Sequence, residues 1–295
     1  MKVMLTGATG FLGSHILHKL IENNIDTIVL KRSFSNDKRI CMYNTLYKSY
    51  DIDTINLEKV FEEETHIDAI IHCATDYGRK DDKISEVMQS NVVFPVQLLE
   101  LSSAFKVDKF YNTDTFFNIA KNSTGYMQNY TLTKKQFLDW GKLFAESGKI
   151  DFINMRLEHL YGEGDNDGKF IPFIIDSCLK NIEKIDLTDG EHLRDFIYID
   201  DVVSAYLAVL LKSQELKGFQ EFEVGCGKAI KVKDFVIAVK EIANSQTKLN
   251  FGALPYRKNE ILYSEANIDN LKSLGWIPKF SHEHGIQAYI KKLKG

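Results

Sequence analysis

The chain has 295 residues, 44% of them hydrophobic and 26% charged, with a formal net charge of −4. This is chain enough for one large domain or two closely joined ones, in the composition of an ordinary globular protein. No basic face is offered to nucleic acid or to a membrane surface, no apolar run is long enough to span a bilayer, and Cys41, Cys73, Cys178 and Cys226 form no C-x-x-C pair. A disulfide framework, a metal site and a membrane segment are therefore not expected. A reducing, cytoplasmic setting is, because the N-terminus enters a strand directly without a signal peptide.

Residues 1–14 read MKVMLTGATGFLGS. The apolar run Val3–Leu5 ends in Thr6 and opens into Gly7, Gly10 and Gly13, and the amphipathic run Phe11–Glu22 follows at once. That pattern is a strand, a tight glycine turn and a helix whose N-terminus faces whatever lies on the turn. Backbone N–H groups and the helix dipole favour an anion there, such as a pyrophosphate. Gly7 and Gly10 permit the sharp turn and close approach, and Gly13 lets the helix pack on the strand. With Phe11 and Leu12 they form the first expected cofactor contact. The spacing is G-x-x-G-x-x-G, not G-x-G-x-x-G; a purely structural βα turn is the other reading.

Further strands are expected at Thr27–Leu30, Ala69–His72, Lys109–Asn112 and Phe152–Met155, with helices at Leu57–Glu64, Ile84–Phe105 and Leu132–Ser147. Strands alternating with helices imply an α/β fold with a doubly wound parallel sheet and right-handed crossovers. Ligands in such sheets bind at the carboxyl ends of the strands. After the polar loop at 162–168, helix-like runs at Phe170–Lys180, Asp200–Leu211, Val232–Ala243 and Glu283–Lys294 alternate with strand-like runs at Lys184–Leu187 and Phe222–Val224. We expect a dinucleotide-binding domain over 1–160 and a smaller substrate-binding lobe over 161–295, some of whose segments cross back to the first.

Tyr130 and Lys134 form Y-x-x-x-K. On a helix, positions i and i+4 share a face, so phenol and ammonium project together. The cation favours phenolate and lowers the tyrosine pKa from its ordinary value of about 10, fitting it to exchange a proton with a carbonyl or alcohol oxygen. Taken alone, the pair also reads as an exposed tyrosine beside a helix lysine. About twenty residues earlier, however, a strand-like run ends in Asn112-Thr113-Asp114-Thr115.

A strand-end hydroxyl followed by a helix bearing Tyr and Lys resembles the extended short-chain dehydrogenase/reductases, the group of nucleotide-sugar epimerases, dehydratases and reductases. The resemblance runs nearly the whole length and implies a Rossmann fold. It implies hydride transfer between a nicotinamide and a sugar carbon, with Tyr130 as acid/base and Lys134 on the nicotinamide ribose. Thr113, aligned by the following Phe116-Phe117, would hydrogen-bond the reacting oxygen. By the same resemblance Cys73 and Ala74 line the cofactor in an H-x-A segment, and Asp51-Ile52 match the pair that contacts adenine. Asn91 matches a helix asparagine of the cofactor site that braces the loops. For Asp51 a plain loop residue, and for Asn91 an ordinary helix residue, are the alternatives.

Gly190–Tyr198 resembles G-x-x-x-R-D-F/Y-I/V-x, which implies that Arg194 binds the nucleotide diphosphate; a guanidinium fork suits two phosphate oxygens. Arg257 lies where relatives carry a second such arginine. Asn270–Trp276 resembles a terminal K-x-x-x-L-G-W signature, read as packing.

Two departures narrow the expected reaction. Lys31-Arg32-Ser33 stands where NAD-binding relatives place an acidic residue, and it suits a 2′-phosphate, so NADP(H) is expected, with NAD possible. A solvated basic loop is the alternative. The triplet Thr113-Asp114-Thr115 lacks the glutamate of the dehydratases' T-D-E, so 4,6-dehydration is not expected; Asp114 reads as structural and Thr115 as a substrate contact. Thr75–Arg79 is similar to reductases of the CDP-abequose synthase type, which puts Tyr77 and Arg79 in the sugar pocket. Glu158 and His159 either touch a ligand or pack. The expected activity is NADPH-dependent reduction of a nucleotide-linked 4-keto-6-deoxy sugar for polysaccharide biosynthesis. A 4-epimerase with bound NAD is the alternative, and a non-catalytic dinucleotide-binding scaffold comes third. Relatives pair the helices equivalent to Ile84–Phe105 and Leu132–Ser147, so a homodimer is expected.

Overall fold

A computed structural model describes residues 1–78, 83–119, 127–257 and 259–294 of the chain. In order, its elements begin β1 (Lys2–Thr6), α1 (Phe11–Glu22), β2 (Asp26–Lys31), β3 (Lys48–Asp51), α2 (Leu57–Glu63), β4 (Ala69–His72), α3 (Ile84–Met88), α4 (Phe94–Ala104), β5 (Lys109–Thr115), α5 (Gln128–Glu146) and β6 (Asp151–Leu157). They continue β7 (His159–Tyr161), α6 (Phe170–Leu179), β8 (Lys184–Asp186), β9 (Leu193–Arg194), β10 (Phe196–Tyr198), α7 (Ile199–Leu211), β11 (Phe219–Val224), β12 (Ile230–Lys231), α8 (Val232–Ile242), β13 (Lys248–Asn250), β14 (Tyr263–Ser264), α9 (Asp269–Ser273) and α10 (His282–Lys294). None of the described helices is long and apolar enough to cross a membrane.

Two compact units divide the chain. The first comprises the described residues of Met1–Ser123 with Met127–Arg156 and Tyr206–Phe222; the second comprises Leu157–Ala205 and the described residues of Glu223–Gly295. Seven strands hydrogen-bond in the order β11-β6-β5-β4-β1-β2-β3. The pairs β1–β2, β2–β3, β1–β4 and β4–β5 are all parallel. β1, β2 and β4 are nearly continuous apolar runs, as strands covered on both faces require. Strand order reverses at β1, whose neighbours are β2 and β4, so Thr6 and His72 end adjacent strands at a topological switch point. Met4, Ile28, Ile70, Phe110, Phe137 and Phe152 belong to the core on one face of this sheet. A Cβ on Gly141 of α5 would lie 2.1 Å from the Phe152 ring, so only glycine lets the helix sit this close to β6.

Three details depart from the sequence reading. The helix expected over Ile84–Phe105 is helical but interrupted by a π-helical turn, Gln89–Val93, between α3 and α4. Pro95 supplies a reason, because its ring would clash with the carbonyl of Asn91 four residues back in a regular helix, and a wider turn relieves the clash. α5 starts at Gln128, four residues before Leu132, which brings Tyr130 into the helix that carries Lys134. β3 is an edge strand in which only Tyr50 is buried, so it had no apolar run to betray it.

The second unit is built on short strand pairs, β10–β7 and β13–β8 in parallel and the three-stranded set β12-β9-β14. Buried Asp195, between β9 and β10, accepts backbone N–H bonds from Cys226 (2.7 Å), Gly227 (2.9 Å) and Ala266 (3.2 Å). Burial nevertheless raises its carboxyl to a pKa of about 6. Trp276 packs as its signature suggested, with Nε1 donating to Ser204 Oγ at 2.8 Å.

Candidate active site

The turn after β1 is shaped by contacts that only glycine allows. Gly7 has φ +72°, and a Cβ there would lie 2.6 Å from the backbone nitrogen of Ala74. A Cβ on Gly13 would lie 2.1 Å from the Gly7 carbonyl oxygen. Gly10 caps α1 with no side chain, and no acidic residue occupies the first turn formed by Phe11, Leu12 and Gly13. The helix end therefore keeps its positive potential for an anionic group. Thr6 Oγ1 joins the ends of the two central strands, lying 2.8 Å from His72 Nδ1 and accepting the Ala74 N–H at 3.2 Å. Burial, followed by the Lys134 charge, holds His72 well below the ordinary histidine pKa, so the ring stays neutral.

At the edge of the sheet, Lys31 at the end of β2 donates to Asp51 at 2.5 Å. The two expected cofactor contacts thus form an ion pair, and Ile52 follows with its N–H on the Lys31 carbonyl. Arg32 lies 4.7 Å from the centroid of the Phe34 ring, and Arg39, a residue the sequence reading passed over, donates to the Thr9 carbonyl at 3.2 Å.

Asn91, 2% exposed on the π-helical turn, spends its whole amide inside the protein. Its Oδ1 accepts from the Asp76 N–H (2.7 Å) and Thr75 Oγ1 (3.2 Å), while Nδ2 donates to the Asp76 carbonyl (2.8 Å) and Thr133 Oγ1 (3.0 Å). This is bracing between the segment after β4 and α5. Tyr77, next along that segment, lays its ring against Tyr130 with centroids 5.0 Å apart and planes 29° apart. Arg79 lies outside the described residues.

Tyr130 and Lys134 face inward on α5, 6% and 3% exposed. Burial depresses the Lys134 pKa, opposed chiefly by the negative charge of Asp114. Asp114 is fixed by Asn118 Nδ2 (2.6 Å) and Asn154 Nδ2 (3.0 Å), and burial raises its pKa against the pull of Asn154 and Lys134. Thr113 donates to Cys73 Sγ at 3.3 Å and lies 2.8 Å from the hydroxyl of Tyr206, a buried α7 residue that the sequence reading also missed. The Cys73 thiol is raised by burial to about 11, against the Thr113 hydrogen bond and the Lys134 charge, and stays protonated. Tyr206 in turn feels Tyr130 and Asp114 electrostatically. Thr113, Tyr130 and Lys134 therefore gather around Cys73 and Tyr206 at the carboxyl ends of β4 and β5. Thr115, also buried, accepts the Phe117 N–H at 3.4 Å within the turn that follows β5.

In the second unit Arg194 is 6% exposed and donates to the carbonyls of Leu193 (2.9 Å) and Ile261, with Glu260 4.0 Å away. Two of its five N–H groups are thereby anchored. Arg257 is exposed, its backbone N–H on Glu260. Glu158 accepts from Ser264 Oγ and stands 3.5 Å from His159, whose pKa burial lowers to about 3.

A glycine turn at the switch point of a parallel sheet, beside an inward Tyr–Lys pair, is the build of a Rossmann-type dinucleotide-binding enzyme. The chain belongs to the NAD dependent epimerase/dehydratase family, whose model matches residues 3–225. It is therefore an enzyme of the extended short-chain dehydrogenase/reductase type. It is 44% identical over 290 residues to CDP-abequose synthase of Salmonella muenchen, covering 98% of this chain and 97% of that protein. To CDP-abequose synthase of Salmonella typhimurium it is 38% identical over 296 residues, 99% and 98% of the two chains. Its fold matches UDP-glucuronic acid 4-epimerase from Bacillus cereus, solved with UDP-glucuronic acid and NAD, with a TM-score of 0.85 at 23% identity over 99% and 100% of the chains.

Proposed function

We propose that this enzyme reduces a nucleotide-linked 4-keto-6-deoxy sugar with NADPH, in the supply of a surface polysaccharide. The gathering of Thr113, Tyr130 and Lys134 around one buried spot carries the reading, and the near full-length likeness to two CDP-abequose synthases supports the sugar class.

The glycine turn fits a dinucleotide: a methyl group at Gly7 or Gly13 would collide with the backbone of Ala74 or of Gly7 and force the tight turn open, and the uncapped end of α1 suits a pyrophosphate. Gly7, Gly10, Phe11, Leu12, Gly13, Cys73 and Ala74 would hold it, with Asp51-Ile52 toward the adenine. When bound, the cofactor supplies the hydride. Tyr130 gives its proton to the keto oxygen as charge develops there, and the Lys134 ammonium stabilises the phenolate left behind. Thr113 donates a second hydrogen bond to the same oxygen. Asn91, with its amide consumed, acts by holding Asp76 and Thr133 in place. Tyr77 and Thr115 are assigned to the sugar, and Arg194 and Arg257 to the diphosphate. The preference for NADPH rests on Arg32 with Arg39, since Lys31 already neutralises Asp51.

A 4-epimerase that keeps its NAD is the second reading, favoured by the fold match to an NAD-bound epimerase. We also propose a homodimer through the helical stretch that begins with α3 and through α5: Ile84 and Met88 of α3, Val93 of the π-helical turn, and Leu132, Trp140 and Leu143 of α5 are exposed rather than buried.

Purified enzyme mixed with NADPH and CDP- or dTDP-linked 4-keto-6-deoxy sugars should consume the nicotinamide absorbance, and Tyr130→Phe should slow turnover by about 10²-fold or more. No NADPH oxidation across that panel, with NAD released from the denatured protein, would establish the epimerase instead.

A further inference from the structure

Thr113 Oγ1 has one proton and two lone pairs. Its hydrogen-bond partners among the described residues are Cys73 Sγ at 3.3 Å and Tyr206 Oη at 2.8 Å. Tyr206 is 2% exposed, and among the described residues Thr113 is the partner its hydroxyl has. A buried phenol proton without an acceptor is costly, so the Tyr206 proton goes to Thr113 Oγ1. Had Thr113 donated to Tyr206 instead, the phenol proton would be stranded inside the protein. With one lone pair of Thr113 filled by Tyr206, the threonine's own proton must point elsewhere. In this structure it rests on Cys73 sulfur, a weak acceptor that gives it up readily to a better one.

We propose that Tyr206 is a positioning residue for the reaction: its phenol donates to Thr113 and so commits the threonine's single proton to the substrate oxygen. Tyr206 touches no reacting atom. It sets the polarity of the chain Tyr206 O–H to Thr113 O–H to oxygen, and each link of such a chain strengthens the next. Core packing alone would be served equally by phenylalanine. The inference rests on the reductase reading in giving that oxygen its identity, while the direction of the hydrogen bonds stands independently of it.

The test is a double-mutant cycle of Tyr206→Phe and Thr113→Val, read by steady-state kinetics with a 4-keto sugar nucleotide. Tyr206→Phe should lower kcat about tenfold while leaving KM and the NADPH dissociation constant within about twofold. In the Thr113→Val background it should cost nothing further in kcat. Wild-type kcat in Tyr206→Phe, or independent and multiplicative losses in the cycle, would overturn the proposal. A second readout needs no turnover: the infrared S–H stretch of Cys73, assigned by its loss in Cys73→Ala. In Tyr206→Phe this band should shift toward its position in Thr113→Val, because a threonine that has lost its donor bonds the sulfur less strongly. An unmoved band overturns the hydrogen-bond direction. Wild-type protein that turns over no 4-keto sugar defeats the reductase reading alone, and the thiol band then decides the role of Tyr206 by itself.

Discussion

Replacing Asn91 by aspartate changes one NH₂ group into an oxygen at the centre of the brace after β4. The Oδ1 side survives, still accepting from Asp76 N–H and Thr75 Oγ1. The other side reverses its meaning. Where Nδ2 donated to the Asp76 carbonyl at 2.8 Å, a carboxylate oxygen would face that carbonyl lone pair to lone pair. Thr133 Oγ1 cannot compensate, because its proton is already offered to the Asn129 and Tyr130 carbonyls at 2.9 and 3.0 Å. Two hydrogen bonds of about 1 kcal/mol each are lost and a buried carbonyl is left unsatisfied, for about 3–5 kcal/mol in all at pH 8. At about 2–4 °C per kcal/mol for a chain near this size, the melting temperature should fall by about 6–20 °C. The carboxyl escapes part of this by keeping its proton, which restores a donor toward Asp76. Its folded pKa is therefore raised above the unfolded value of about 3.9, so the penalty is smallest near pH 4 and grows as pH rises through the folded pKa. Thermal unfolding of both proteins at about pH 5 and pH 8 measures the difference. A gap that is absent, or that does not widen toward alkaline pH, would refute the bracing role.

Two further substitutions probe the cofactor side. Gly13→Ala places a methyl 2.1 Å from the Gly7 oxygen, so α1 must retreat from β1; NADPH affinity measured by fluorescence titration should fall at least tenfold, with about 1–3 kcal/mol lost in stability. Asp51→Asn removes the partner of Lys31 and frees that ammonium for a 2′-phosphate, so the ratio of NADH to NADPH dissociation constants should rise about three- to tenfold, and an unchanged ratio would show that Lys31 takes no part.

The glycine turn, the central strands and the Tyr–Lys pair were legible in the sequence because each rests on local chemistry: positive φ, continuous apolar runs, or i, i+4 spacing. β3 was not, since an edge strand with one buried residue carries no periodic signal. The two-residue strands β9, β12 and β14 fall below any pattern a sequence can show. Tyr206 was hidden for another reason: within Ile199–Leu211 a tyrosine reads as one more core aromatic, and only the fold reveals Thr113 at hydrogen-bond distance. Lys31 and Asp51, twenty residues apart, were read as separate ligand contacts because pairing between parallel strands is invisible along the chain.

The wide turn at Gln89–Val93 amounts to one surplus residue threaded into an otherwise regular rod. Removing a single amino acid there would leave a longer ordinary helix whose two ends keep nearly the same faces, because the wide turn absorbs its extra residue locally. The loop after β4 would then lose its anchor only where Asn91 itself is removed or displaced from the turn. Comparison of sequences across 84–104 consequently depends on counting residues through this stretch, since a chain one residue shorter there would keep both flanking faces and lack only the bulged position.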